Sequence, residues 1–114
     1  MSKNYLLIYS EQLATEIELL CQNIKAPSNT LFQIRKSSSS IYANIREANY
    51  GQSKADFVSK MHIALKETAE TEYWLKLLTM SEYITEDIGK SLLNDCLEIK
   101  KILIASINTA KENK

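Results

Sequence analysis

Only three residues in this 114-residue chain are strong helix breakers: Pro27, Gly51 and Gly89. Proline lacks the amide proton a helix interior needs, and glycine gives up about 1 kcal/mol of helix propensity relative to alanine. Between these breaks run long stretches rich in Leu, Ile, Ala, Glu and Lys. β-Branched residues occur singly and never alternate over several positions, as a half-buried strand requires. The chain is therefore predicted to be all-α. At this length one domain is expected, burying roughly 65% of the surface the unfolded chain exposes.

Hydrophobic spacing divides the chain into four helices, at about 4–25, 30–49, 53–83 and 86–110. In the first, Leu6, Tyr9, Leu13, Ile17, Leu20 and Ile24 recur every three or four residues and share a face. Asn4 is the expected N-cap, Lys25 suits the negative helix end, and Pro27 ends the element. The second helix is capped by Asn29 or Thr30 and carries the stripe Leu31, Ile34, Ser38, Ile41, Ile45, Ala48. The run Ser37–Ser40 has a linker's composition. Ile34 and Ile41 keep phase across it, so it is expected to be helical, its small side chains letting a neighbour approach closely.

Asn49-Tyr50-Gly51-Gln52 is a turn, with Gly51 free to adopt positive φ. Ser53 caps the third helix, and Asp56 three residues on resembles a capping box. Phe57, Met61, Ala64, Leu65, Thr68, Leu75 and Leu78 form its inner stripe. Near its end Tyr73, Trp74, Leu75, Leu77 and Leu78 cover most of the circumference, more than one core can bury. That excess predicts a second buried contact, with Tyr73, Trp74 and Leu77 as candidate subunit-interface residues. Thr85 caps the fourth helix, with Glu86 and Asp87 in its first turn. Ile88, Leu92, Ile99, Leu103 and Ile107 follow one face of this helix, and Leu93, Leu97 and Ile104 lie beside it. Gly89 is expected to loosen its start, and the end from about Lys111 to fray. Short connections make consecutive helices antiparallel, an up-down-up-down four-helix bundle.

Fourteen basic residues balance fourteen acidic ones, so net charge is zero and supplies no bulk attraction to nucleic acid or anionic membrane. The distribution is uneven. Lys25, Arg35, Lys36, Arg46, Lys54 and Lys60 face only Glu47 and Asp56 in their segment, while the stretch from Lys66 to Glu98 is acidic and the tail from Lys100 to Lys114 basic. Arg35, Lys36, Arg46, Lys54 and Lys60 are candidate phosphate contacts, against the usual role of such charges as a solvated face. Tyr42, Tyr50, Tyr73 and Trp74 can stack on bases, although at helical spacing packing is their ordinary use. Cys21 and Cys96 lie inside helical patterns without metal-ligand spacing, and read as small core residues rather than a disulfide. The apolar run Tyr5–Tyr9 after Lys3 is too short for a signal h-region or a membrane span, so a soluble cytoplasmic protein is expected.

The chain offers little for catalysis. A di-iron carboxylate bundle needs Glu-x-x-His on two helices, but His62 is the only histidine and Ser59 stands three residues before it. Glu67, Glu70 and Glu47 form a carboxylate cluster expected to pair with Lys66, Arg46 or solvent. No base can be named for any serine, and there is no P-loop, dinucleotide fingerprint or CxxC pair. No cofactor, metal or small-molecule substrate is expected. Asn44 and Glu47 sit together at i, i+3 beside the apolar seam, either as a polar pair fixing helix packing or capping a neighbouring backbone group, or as a ligand contact.

At these residues a family resemblance enters. Ser40-Ile41-Tyr42-Ala43-Asn44-Ile45-Arg46-Glu47-Ala48 resembles the SI-x-A-N-I-x-E-[GA] signature of the bacterial four-helix bundle proteins labelled 23S ribosomal RNA intervening-sequence proteins. Phe57, Met61, Ile63, Ala64, Glu67, Glu70, Glu72 and Leu75 continue the pattern. Many members have glycine where this chain has Ala48, and a small pair where it has Lys66 and Glu67. The resemblance implies a bundle assembled as a homopentamer, which accounts for the apolar surface near Trp74. A related branch serves as the accessory protein of diversity-generating retroelements, where a basic pentamer partners reverse transcriptase and its RNA; the neutral charge here departs from that. The expected function is therefore a non-enzymatic oligomeric bundle acting as a binding or scaffold module in an RNA context. The alternative is a nucleic-acid-binding accessory protein of a retroelement reverse transcriptase.

Overall fold

The computed structural model describes residues 4–51 and 53–112; Lys3, Gln52 and Lys114, which entered the sequence reading, lie outside them. Four helices make up the fold: α1 (Tyr5–Asn23), α2 (Ser28–Asn49), α3 (Lys54–Met80) and α4 (Glu86–Glu112). Each packs on its neighbours in the order α1, α2, α3, α4 and back to α1, while the backbones of the diagonal pairs stay apart. Polar links fix antiparallel neighbours: Glu18 of α1 meets Arg35 of α2, Ser37 and Glu47 of α2 meet Thr71 and Lys60 of α3, and Glu72 of α3 meets Lys100 of α4. The result is an elongated bundle of 48 × 23 × 22 Å.

The core follows the expected stripes, displaced at some positions. In α2 the buried set is Ile34, Ser37, Ser38, Ile41, Ile45 and Ala48; in α3 it is Met61, Ala64, Thr68, Thr71, Leu75 and Leu78. The α3 set alternates steps of three and four, the spacing of a bundle seam, and the α2 set keeps that spacing except where Ser37 and Ser38 are both buried. The serine run is helical throughout. Ser37, Ser38 and Ser39 satisfy their hydroxyls on carbonyls of the preceding turn, at Ile34 and Arg35. That local bonding lets two serines lie in the core with no unsatisfied buried side-chain polar atom among the described residues. Cys21 and Cys96 are buried free thiols, as their spacing predicted.

The α1 stripe is rotated from the one expected. Ser10 and Cys21 are buried, whereas Tyr9 is exposed and Leu20 and Ile24 are half-buried. A hydroxyl that bonds the carbonyl of Leu6 at 2.7 Å can be buried, so a polar residue displaced a tyrosine from the centre of the face. α1 ends at Asn23 with Ile24 extended, so Lys25 does not sit in its last turn. Asn4 caps α1 as expected, accepting from the Leu7 amide at 3.1 Å.

Three terminal expectations are corrected. α2 begins at Ser28 with Pro27 at the N-cap position and no side-chain cap, so neither Asn29 nor Thr30 has that role. Gly51 does not use positive φ; an added Cβ there would lie 2.7 Å from Asp56 Oδ2 and 3.1 Å from the Ala48 carbonyl, so space selects glycine. α3 stops at Met80, short of Tyr83, because Glu82 takes φ 64° and lets the amide of Tyr83 return to the carbonyl of Leu78 at 3.0 Å. This is a left-handed helix end made without glycine, at a cost of roughly 1–2 kcal/mol. It turns Ile84 into the core. The expected caps Ser53 and Thr85 are observed, accepting from Asp56 and Ile88 amides at 3.1 and 3.2 Å.

Gly89 does not loosen α4. It is buried, and a Cβ there would overlap the hydroxyl oxygen of Thr79, so its absence lets α3 and α4 close. α4 continues through Lys111 to Glu112, and the rest of the end expected to fray lies outside the described residues.

Candidate functional site

Part of the signature lies along the α2–α3 seam. Ser37–Thr71 and Glu47–Lys60 set the antiparallel register of α2 against α3, bringing Asn44 to about the level of Ala64. Ile41, Ile45 and Ala64 are fully buried there. The Asn44 side-chain amide donates to the Ser40 carbonyl at 2.8 Å and the Ser40 hydroxyl at 3.1 Å, so it is spent along its own helix. Glu47 pairs with Lys60 at 3.4 Å rather than with Arg46. Asn44 thus bonds a backbone group of its own helix, and Glu47 links α2 to α3. Phe57 is half-buried at the open end of the bundle, beside Tyr5 of α1 and Ile102 of α4. Glu70 is exposed next to Glu67. Burial and the Glu70 charge push the Glu67 carboxyl above its usual range, with Lys66 and Lys36 opposing.

The five candidate phosphate contacts do not form one stripe. Arg35 and Lys36, adjacent in sequence, diverge by about 100° around the helix. Arg35 turns to α1 and grips Glu18 at 2.9 and 3.1 Å, while Lys36 acts on Glu67 of α3. Hydrogen bonds from Gln22 and Arg35 hold the Glu18 carboxylate below its usual range. Arg46 and Lys60 line an open concavity at the α2–α3 turn together with Glu47, Tyr50, Ser53 and Asp56. Lys54 follows on the first turn of α3. Two cations and two carboxylates share that concavity, so its charge is mixed. Tyr50 is 78% exposed beside it, and Tyr42 is half-buried.

Part of the exposed apolar surface lies at the other end of α3. Leu75 and Leu78 point into the core, and Trp74 is half-buried against it with Tyr73 edge-on at 4.8 Å. Tyr73 is 58% exposed, Leu77 36% and Met80 83%. Their spacing of four and three places them on one outward face of α3, and Tyr83 is exposed just beyond. The sequence reading found the first two. Met80 and Tyr83 were missed because whether a residue at a helix end is covered depends on where the next helix begins. Thr71 was missed as well, although its place in the three-four rhythm between Thr68 and Leu75 was a usable signal.

His62 is exposed, and among the described residues no three His, Cys, Asp or Glu side chains are grouped to hold a metal ion. No described helix is long and apolar enough to cross a membrane. What the fold defines is a four-helix bundle with a packed signature seam and an apolar outer face. The chain belongs to the 23S rRNA-intervening sequence protein family, whose model matches residues 6–105. It is similar to a Bacteroides thetaiotaomicron protein of the S23 ribosomal protein family, itself described as of unknown function and solved at 1.70 Å. The two share 46% identity over 90% of this chain and 97% of that one, with a TM-score of 0.86. No curated protein matches the sequence.

Proposed function

We propose that this protein works by association rather than catalysis: a non-enzymatic helical module that assembles with copies of itself and serves as a binding scaffold in an RNA context. The observation that carries this reading is the outward face of α3, where Tyr73, Leu77 and Met80 stand exposed on a helix whose inner stripe is already buried. An apolar face of this kind on a chain with a complete core is the mark of an interaction surface. The homopentamer is the assembly that the family resemblance implies, and a cyclic ring requires one such face to meet a different face of the next copy. Chromatography with light scattering at micromolar concentration tests the reading. A mass of about five times the 13.0 kDa chain supports it, and a strictly monomeric species overturns it.

The second reading, a nucleic-acid-binding accessory protein of a reverse transcriptase, is favoured by one grouping. Arg46 and Lys60 share a concavity with exposed Tyr50 at the α2–α3 turn, with Lys54 following in sequence, a pairing of cations with an aromatic ring suited to single-stranded RNA. It requires RNA binding that weakens steeply with salt and falls when Arg46 and Lys54 lose their charge. Arg35, held by Glu18, contributes least. Absence of RNA binding at low salt removes this reading.

A further inference from the structure

The α1–α4 seam differs from the other three. The pairs α1–α2, α2–α3 and α3–α4 are each joined by an ion pair or side-chain hydrogen bond, as described above. Among the described residues α1 and α4 have no such ion pair. A crevice of about 160 Å³ lies between them instead, lined by Tyr9, Gln12, Leu13, Glu16, Asp95 and Glu98. Across it the carboxyl groups of Glu16 and Asp95 come within hydrogen-bonding reach of each other. Two carboxyl groups in contact hold together when one proton lies between them and repel when both are ionised.

We propose that Glu16 and Asp95 form a proton-operated latch that closes α1 on α4, so that this seam is where the bundle loosens as pH rises. Burial raises the Glu16 carboxyl above its usual range, and the Asp95 charge and hydrogen bond raise it further. Burial also raises Asp95, while its bond with Glu16 works in the opposite direction. The two carboxyl groups therefore share one proton between them. The charges facing Glu16 are Asp95 and Glu98 of α4, both acidic, and no lysine or arginine lines the crevice. Lys100 of α4 is engaged by Glu72 of α3, and among the described residues α2 and α3 present no charge to the crevice. A carboxyl raised in the folded state stabilises it at low pH, and that contribution is lost as pH rises through the folded value. Both side chains are largely exposed, so solvent screens the effect and local opening reports it better than global unfolding.

Amide hydrogen exchange resolved by helix, corrected for the intrinsic pH dependence, tests the latch. In the wild type the amides of α1 around Leu13–Ile17 open severalfold more at pH 7.5 than at pH 5, while those of α3 do not follow. Glu16→Gln keeps a donor to Asp95 at every pH and removes the difference. Asp95→Lys replaces the shared proton by an ion pair and reverses its sign. A Glu16→Gln variant with the wild-type pH dependence overturns the proposal, as does a wild-type α1 with none.

Discussion

The Thr71 hydroxyl lies 2.9 Å from Ser37 Oγ with both residues buried, the one interior side-chain hydrogen bond that joins two helices among the described residues. Thr71 Oγ1 is also 2.9 Å from the Glu67 carbonyl, and Ser37 Oγ is 3.3 Å from that of Ile34. Each hydroxyl therefore has a second partner within its own helix. The bridge fixes the register of α2 on α3 in an apolar surrounding where unpaired polar groups are costly.

Thr71→Val keeps the shape and removes the bridge, and the Ile34 carbonyl still satisfies Ser37. A loss of about 1 kcal/mol is expected. Combined with Ser37→Ala in a double-mutant cycle, denaturant unfolding should return a coupling of at least about 0.5 kcal/mol. A coupling of zero would mean that the two hydroxyls bond only within their own helices.

Gly89→Ala separates propensity from packing. On an exposed helix the change stabilises by about 1 kcal/mol. Here the new methyl meets the Thr79 side chain, whose hydroxyl is committed to the Leu75 carbonyl at 2.7 Å. Overpacking of this kind costs about 1–3 kcal/mol, so a lower urea midpoint is expected. Thr79→Ala in the same chain should recover most of the loss.

Leu77→Lys with Tyr73→Glu places charge on the outward face of α3 and gives up only the Tyr73 contact with Trp74. The proposed assembly is expected to dissociate while monomer helicity holds and stability falls by about 1 kcal/mol. Light scattering beside circular dichroism distinguishes loss of assembly from loss of fold.

Cys96 should resist thiol reagents. Burial above all, with the Glu72 and Asp95 charges adding and Lys100 opposing, pushes its thiol up to about 12. At pH 8 it stays protonated in the folded chain and reaches its ordinary thiolate fraction only on unfolding. Modification at pH 8 should proceed at the rate of opening, independent of reagent concentration once reagent is in excess. Fast labelling of the native protein would place Cys96 outside the core.

Helix number, helix order and most of the core were legible in the sequence alone. Three-and-four spacing across sparse glycine and proline leaves a chain few ways to bury Ile34, Ile41, Ile45, Leu75, Leu78, Ile99 and Leu103, and all seven are fully buried. The same periodicity kept the serine run in phase. The family signature was legible too, but its meaning was not: Asn44 can bind a ligand or its own helix, and only coordinates show it held by Ser40.

Tertiary structure decided what depends on the relation between helices. Rotation of α1 placed Ser10 inside and Tyr9 outside, because a hydroxyl bonded to its own helix can be buried and the tyrosine sits at the edge of the same stripe. Gly89 reads as a weak point until Thr79 is seen against it. Arg35 and Lys36 read as one basic group until the helix sends them to opposite neighbours. Periodicity along a chain specifies which side of each helix turns inward. The partner each side chain meets is set by how far one helix slides and turns against the next, which no single segment encodes.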